Sequence, residues 1–298
     1  MNVTLRQLKL FDAICRLQSL TLAADEQAIS QSAASQSLKE LEKQLGYALF
    51  RKAGRVLALT EAGALALPKV RQVLSNLDSL RFPSDQFVGG ELKVCASETI
   101  ASYLMPQLLA AFVACYPKVV PKLDIDNTER VVHQVESGQA SVGFIEGPAY
   151  SAYTQQEAWL RDELTVFAGA DFFWAAKRAI PDGELAAQPW IVRELGSGTR
   201  AVFDHAFAQR QETPQIKLSL TRQEAIKQSA RAGLGVGCLS RMAVADELAA
   251  GSLVELRTSL QLTRRFSLLS LKQSTPSALV KHFLDFARQW RPRSLSGD

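Results

Sequence analysis

Residues 21–39 read TLAADEQAISQSAASQSLK, and the rest of the chain takes its meaning from them. The pattern is a helix, a sharp turn and a second helix. Thr21 suits the N-cap of the first, and Ala23 and Ala24 are small enough for close helix contact. Ser30 suits the cap of the second. Beyond it Ala34, Leu38, Leu41 and Leu45 recur at steps of four, three and four, one apolar stripe of a helix. The opposite face carries Gln31, Ser32, Ser35, Gln36 and Lys39, short, polar and almost uncharged. A helix that reads base edges in a DNA major groove needs hydrogen-bonding side chains in its first turns. An ordinary amphipathic hairpin has the same pattern, so the flanks must discriminate.

Upstream, residues 4–17 form a helical pattern in which Thr4 and Gln7 make a capping box. Leu5, Leu8, Phe11, Ile14 and Cys15 line one face. Downstream, residues 49–59, LFRKAGRVLAL, read as two short strands turning at Ala53 and Gly54. Arg51, Lys52 and Arg55 sit at the tip. Beside a reading helix, such a hairpin is a wing that lies against phosphates; elsewhere it is a solvated basic turn. Through Arg55 the chain has eight basic residues against five acidic ones, most of its formal net charge of +4. Thr60 then caps a helix expected through Arg81, with Glu61 at its positive end. Leu67, Val70, Leu74 and Leu77 keep coiled-coil-like spacing, and Pro68 marks a kink or an effective start. A helix of that length spans about 30 Å. Its stripe is more than one small domain covers, so a dimer through it is expected. Residues 82–90, FPSDQFVGG, read as a linker.

At 298 residues there is room for two or three domains. The 47% hydrophobic and 21% charged composition is that of a soluble globular chain. No apolar run reaches bilayer length and the first ten residues lack a signal-peptide core, so a cytoplasmic protein without a membrane partner is expected. Cys15, Cys95, Cys115 and Cys238 are widely spaced in apolar segments and read as reduced, mostly buried thiols. His133, His205 and His282 are isolated, so no metal or cofactor is expected.

From Glu91 the pattern alternates. Strands are expected at 92–96, 121–126, 141–146, 164–168, 216–220 and 235–239, with helices at 102–116, 128–137, 222–232 and 277–290. That is α/β organisation with mainly parallel strands. The expected division is 1–59 and 60–90, then a first lobe of 91–163 with 265–298 and a second of 164–264. Four loops open helices: Ser97 to Ile100, Asn127 and Thr128, Ser197 to Thr199, and Thr221. Ligands of open α/β sheets sit beyond the carboxyl ends of strands, where helix N-termini favour anions. A small, anionic effector is therefore expected between the lobes, held by Ser97, Thr99, Thr128, Ser197 and Thr199. Glu146 would stand at the rim, with Arg200 as counter-charge. Each hydroxyl alone also suits a plain N-cap.

Catalysis finds no support. Gly233, Gly235 and Gly237 precede a strand where a dinucleotide loop would follow one, and Gly196 to Gly198 is not a nucleophile elbow. A free-standing two-lobed solute-binding protein would match the C-terminal two thirds alone.

Along its whole length the chain resembles a LysR-type transcriptional regulator. The likeness is densest in LRQLKLFDAI, TLAAD, ISQSAASQSLKELEKQLGYALF and RVLALTEAG. SETIASYLMP, DIDNT, VGFIEGP, GSGTR and EAIKQSARAGLGVGCLS are most similar to the branch containing CbbR and YeiE. The resemblance implies a multidomain chain: an N-terminal all-α winged helix-turn-helix, a long dimerising linker helix, then two α/β lobes like a periplasmic binding protein. It implies homotetramers on partly palindromic promoter DNA and contact with RNA polymerase. By position, Gln31, Ser32, Ser35 and Gln36 would face bases or nearby phosphates, with Lys39, Arg51 and Arg55 on the backbone. Gln27 stands where the family has leucine and Ala34 where it has valine or leucine; a polar Gln27 in the core would weaken the hairpin, with Ile29 compensating. One part of the branch implies a sulfite-sized anion as effector, the other a phosphorylated metabolite.

Overall fold

The computed structural model of the chain describes residues 2–53, 56–79, 88–272 and 276–292. Helix α1, Leu5–Leu17, opens on the expected capping box: Gln7 N donates to Thr4 Oγ1 and Thr4 N to Gln7 Oε1. Helix α2 is Leu20–Glu26. Its cap is Ser19, whose Oγ accepts from Leu22 N, so Thr21 lies inside the helix and exposed. Helix α3, Gln31–Leu45, is capped by Ser30 and ends on Gly46, whose φ of 81° suits glycine. Ala34, Leu38 and Leu41 turn inward against Leu10, Phe11, Ile14, Ala23 and Ala24. Gln27 is the half-exposed C-cap of α2 and lies outside the core, whereas Ile29 packs on it. The expected penalty for a polar core residue therefore does not arise.

Strands β1, Phe50–Ala53, and β2, Val56–Leu59, pair antiparallel. Helix α4, Glu61–Ser79, passes through Pro68. The expected end at Arg81 and the linker at 82–87 lie outside the described residues. One expectation is corrected here. Leu67 and Val70 are buried against the chain's own first domain and Leu74 packs on the same cluster, so these three are not free for a partner, while Leu77 is half-buried outside that cluster. Among the described residues of α4 the exposed large apolar ones are Leu65 and Val73, eight residues apart and so on one broad face.

The remainder is one nine-stranded sheet in order β4-β3-β5-β11-β6-β9-β7-β8, with β10 on β6. In chain order its elements begin with β3 (Gly90–Ser97), α5 (Glu98–Tyr103), α6 (Met105–Cys115), β4 (Val119–Asp126), α7 (Thr128–Glu136), β5 (Val142–Glu146) and β6 (Thr154–Gly169). They continue with β7 (Trp190–Arg193), α8 (Gly198–Gln209), β8 (Ile216–Leu220), α9 (Gln223–Arg231), β9 (Val236–Ser240), α10 (Arg241–Ala249), β10 (Leu253–Glu255), β11 (Thr263–Leu271) and α11 (Ala278–Gln289). Pairings β3 with β4 and β5, and β7 with β8 and β9, are parallel. The strands that cross between lobes, β6 and β11, pair antiparallel with each other and with their neighbours. The sequence pattern missed β7, α10, β10, β11 and most of β6. It also ran one helix over 102–116; the chain breaks at Leu104, and Pro106 opens α6. Each lobe buries apolar residues on both sheet faces. Lobe I has Phe112, Phe144 and Phe283 on one side and Val131 and Ile145 on the other. Lobe II has Trp190 and Phe203 opposite Phe167 and Ile226.

Candidate functional site

The outward face of α3 is the first candidate. Gln31, Ser32, Gln36 and Lys39 are exposed and Ser35 is half-buried, so the residues singled out from sequence share an open surface. Arg51 is exposed on β1, and Arg55 lies outside the described residues. Two contacts fix the hairpin to its helices. Glu42 Oε1 accepts from Leu49 N at 2.7 Å and Phe50 N at 3.1 Å, so one carboxylate of α3 satisfies the entry to β1. Thr60 Oγ1 donates to Ala48 O and accepts from Gly63 N. A Cβ on Gly63 would lie 2.2 Å from Leu49 O, so α4 approaches the hairpin at a distance only glycine allows. Glu42 and Gly63 were not picked out from sequence. Their only signal there is a carboxylate one turn before a helix end and a glycine inside a helical run.

The second candidate is the space between the lobes. Ser97, Thr99, Thr128, Glu146, Ser197 and Thr199 are all buried there. Glu146 is 1% exposed, so it is the centre of the cleft and not its rim. Its Oε1 accepts from Thr99 N at 2.8 Å, and its Oε2 from Thr199 Oγ1 at 2.9 Å and Arg264 Nη1 at 2.6 Å. Thr128 Oγ1 donates to the Glu146 carbonyl. Arg264 Nε also donates to Asp162 Oδ2, and Ser240 Oγ to Asp162 Oδ1. Gln223 of lobe II joins lobe I twice, through Nε2 to Thr99 Oγ1 and through its backbone N–H to Glu98 Oε1. Arg193, 3% exposed, pairs with Glu98 at 2.8 Å and with Glu194.

The charges perturb one another strongly. Burial pushes the Glu146 carboxyl up, but Arg264, then Arg193, and the hydrogen bond from Thr99 together outweigh it and hold it at about 2. Burial raises Asp162 and Glu98, with Arg264 and Arg193 respectively opposing. Arg200 does not reach Glu146; it pairs with Asp204 and donates to the Arg193 carbonyl. Arg193 and Arg264 supply the buried positive charge instead. An arginine closing the apolar run WIV was the available signal for Arg193. Beside this network lies a groove of about 770 Å³, lined by Thr128, His133, Tyr150, Leu195, Ser197 and Arg200 among others. Helix α8 starts there, and Ser197 makes no side-chain cap bond.

A family model described as the bacterial regulatory helix-turn-helix protein of the lysR family matches residues 5–64, and one for the LysR substrate binding domain matches residues 85–292. The chain belongs to the LysR family of transcriptional regulators. Its relatives include the HTH-type transcriptional regulator YeiE of Escherichia coli K12, 37% identical over 289 residues, covering 96% of this chain and 97% of YeiE. A full-length OxyR variant from Pseudomonas aeruginosa has the same fold, with TM-score 0.74 and 22% identity over 97% of this chain and 94% of that one. The regulatory domain of Synechocystis CcmR in complex with 2-PG aligns with TM-score 0.61 and 28% identity over 67% of this chain and 96% of that one. A LysR regulator reads DNA with its N-terminal domain and carries an effector domain behind it, and is not an enzyme. Among the described residues no helix is long and apolar enough to cross a membrane.

Proposed function

We propose that this LysR regulator binds double-stranded promoter DNA through Gln31, Ser32, Ser35 and Gln36, with Lys39, Arg51 and Arg55 on phosphates. The observation that carries this reading is the open polar face of α3, presented by a buried opposite face and flanked by a hairpin locked through Glu42. Leu65 and Val73 leave α4 with an apolar face for a second copy, and dimers pair further into a homotetramer. The protein works in the cytoplasm and contacts RNA polymerase at the promoter. A small oxyanion is its effector, and no metal or cofactor takes part. Two features support the effector: the hydroxyls at the starts of α5, α7 and α8, and the 2-PG bound by the CcmR regulatory domain. Effector binding changes how the lobes close, and the linker helices turn that change into DNA bending.

Gel retardation with the fragment upstream of the chain's own gene, at two salt concentrations, tests the DNA role. The fragment is expected to shift, and the affinity to fall steeply with salt as counterions are released. Gln36→Ala should weaken the specific shift more than the non-specific one. A fragment that never shifts sinks the reading.

A further inference from the structure

Helix α7 is pinned at both ends. At its start, Glu129 N donates to Gly196 O at 3.1 Å and Asn127 Nδ2 to Glu194 Oε1 at 3.3 Å, both across to lobe II. Thr128, Glu129, His133 and Glu136 of the same helix line the groove. At its end, the Ser137 carbonyl accepts from Arg71 Nη1 at 2.6 Å. Arg71 belongs to α4, and its Nε donates to Asp12 of α1 at 2.5 Å. One guanidinium, 10% exposed, thus uses two of its nitrogens to hold the sensor on one side and the reading domain on the other. The contact is close. Gly138, with φ 70°, follows α7, and a Cβ on it would sit 3.3 Å from Arg71 Cβ and Cδ and 3.5 Å from Pro68 Cα.

We propose that Arg71 is the positioning residue that couples the two ends of the molecule. A change in lobe closure moves the start of α7. Nine helical residues, about 13 Å long, carry that movement to Ser137. Arg71 passes it to α1, whose Phe11 and Ile14 pack in the same cluster as the inner face of α3. The proposal rests on the DNA-binding reading above. It also follows from linkage that DNA on α3 must then alter α7.

The test uses the full-length protein and the retarded promoter fragment, so no effector is needed. Backbone hydrogen exchange of 128–137 is measured with and without DNA in the wild type, Arg71→Gln and Arg71→Lys. In the wild type, DNA should change exchange in α7 by about fivefold. In Arg71→Gln the change should shrink to under half of that, with DNA affinity little altered. Arg71→Lys keeps the charge but not the fork, and should behave like Arg71→Gln. A second arm needs no DNA: Arg71→Gln should loosen α1 around Asp12 and the end of α7 together. The proposal falls if α7 ignores DNA in the wild type, if Arg71→Gln responds equally, or if only one of the two loosens. A fragment that fails to shift counts against the DNA-binding reading, and the DNA-free arm still decides the junction.

Discussion

Glu146 is a carboxylate held ionised at 1% exposure, and its energetics dominate the cleft. It is held at about 2 in the folded chain against an ordinary 4.5: burial is the largest influence and raises it, and Arg264, Arg193 and hydrogen bonding together overcome that. Above pH 4.5 it is ionised in both states, so its stabilisation is complete. As pH falls, the unfolded chain protonates first, and the contribution is lost on the way down to about 2. The shift corresponds to about 3 kcal/mol. Glu98 and Asp162 are raised and so act in the opposite sense, which makes a difference measurement necessary. Glu146→Gln should destabilise the protein at pH 7 by about 3 kcal/mol, because Arg264 keeps only Asp162. The gap to wild type should close as pH falls from 5 to 2 in chemical unfolding; a constant gap contradicts the ion-pair account. Thr99 and Thr199 were readable in the sequence because hydroxyls at strand ends that open helices are a local signal. Arg193 and Arg264 were not. A charged residue reads as solvated until a tertiary partner, here Glu98 or Glu146, removes it from water.

Helix α3 was legible because its cap, its stripe and its polar face are all set within residues 30–45. Helix α4 was only half legible. Its period was correct, but which face a partner would need depends on α1 and α2 arriving from outside the helix. The two faces now separate experimentally. Leu67→Ala removes a buried side chain of the reading domain and should cost about 2–5 kcal/mol of that domain's stability, seen in urea unfolding, without splitting dimers. Leu65→Glu combined with Val73→Glu leaves that core intact and should yield monomers in sedimentation. If the double variant stays dimeric, the exposed face of α4 is not the contact. The hairpin gives a separate test. Glu42→Ala frees Leu49 N and Phe50 N, and hydrogen bonds to a charged acceptor are worth about 1.5–3 kcal/mol, less at a half-exposed site. Amide exchange at 49 and 50 should rise, and DNA binding should lose part of its salt dependence as the basic strand drifts from the helix. Unchanged exchange would show that Thr60 and Gly63 alone hold the hairpin.

Two strands, β6 and β11, carry the chain between the lobes, and they cross where Thr263 opposes Glu163. Closure of the cleft is set by what meets across it. Gln223 reaches Thr99 and Glu98, Arg193 reaches Glu98, Thr199 reaches Glu146, and Glu129 reaches Gly196. The lobes therefore latch on their own groups, and the proposed effector would work by changing the balance of this latched state. Gly198 is the narrowest point of that contact. A Cβ there would stand 1.7 Å from the Glu146 carbonyl oxygen, an atom of β5 that has no freedom to swing aside. Gly198→Ala must move α8 away from β5 and with it lobe II from lobe I. The expected outcome is a larger radius of gyration by small-angle scattering. Exchange at the Thr99 amide should also rise at least tenfold, for a loss of about 1.4 kcal/mol or more at the latch. The two lobe cores, centred on Phe144 and Trp190, should keep their protection, because neither includes residue 198. If scattering and Thr99 exchange stay at wild-type values, the closed form is held elsewhere, and the ion network around Glu146 is a consequence of closure and not its cause.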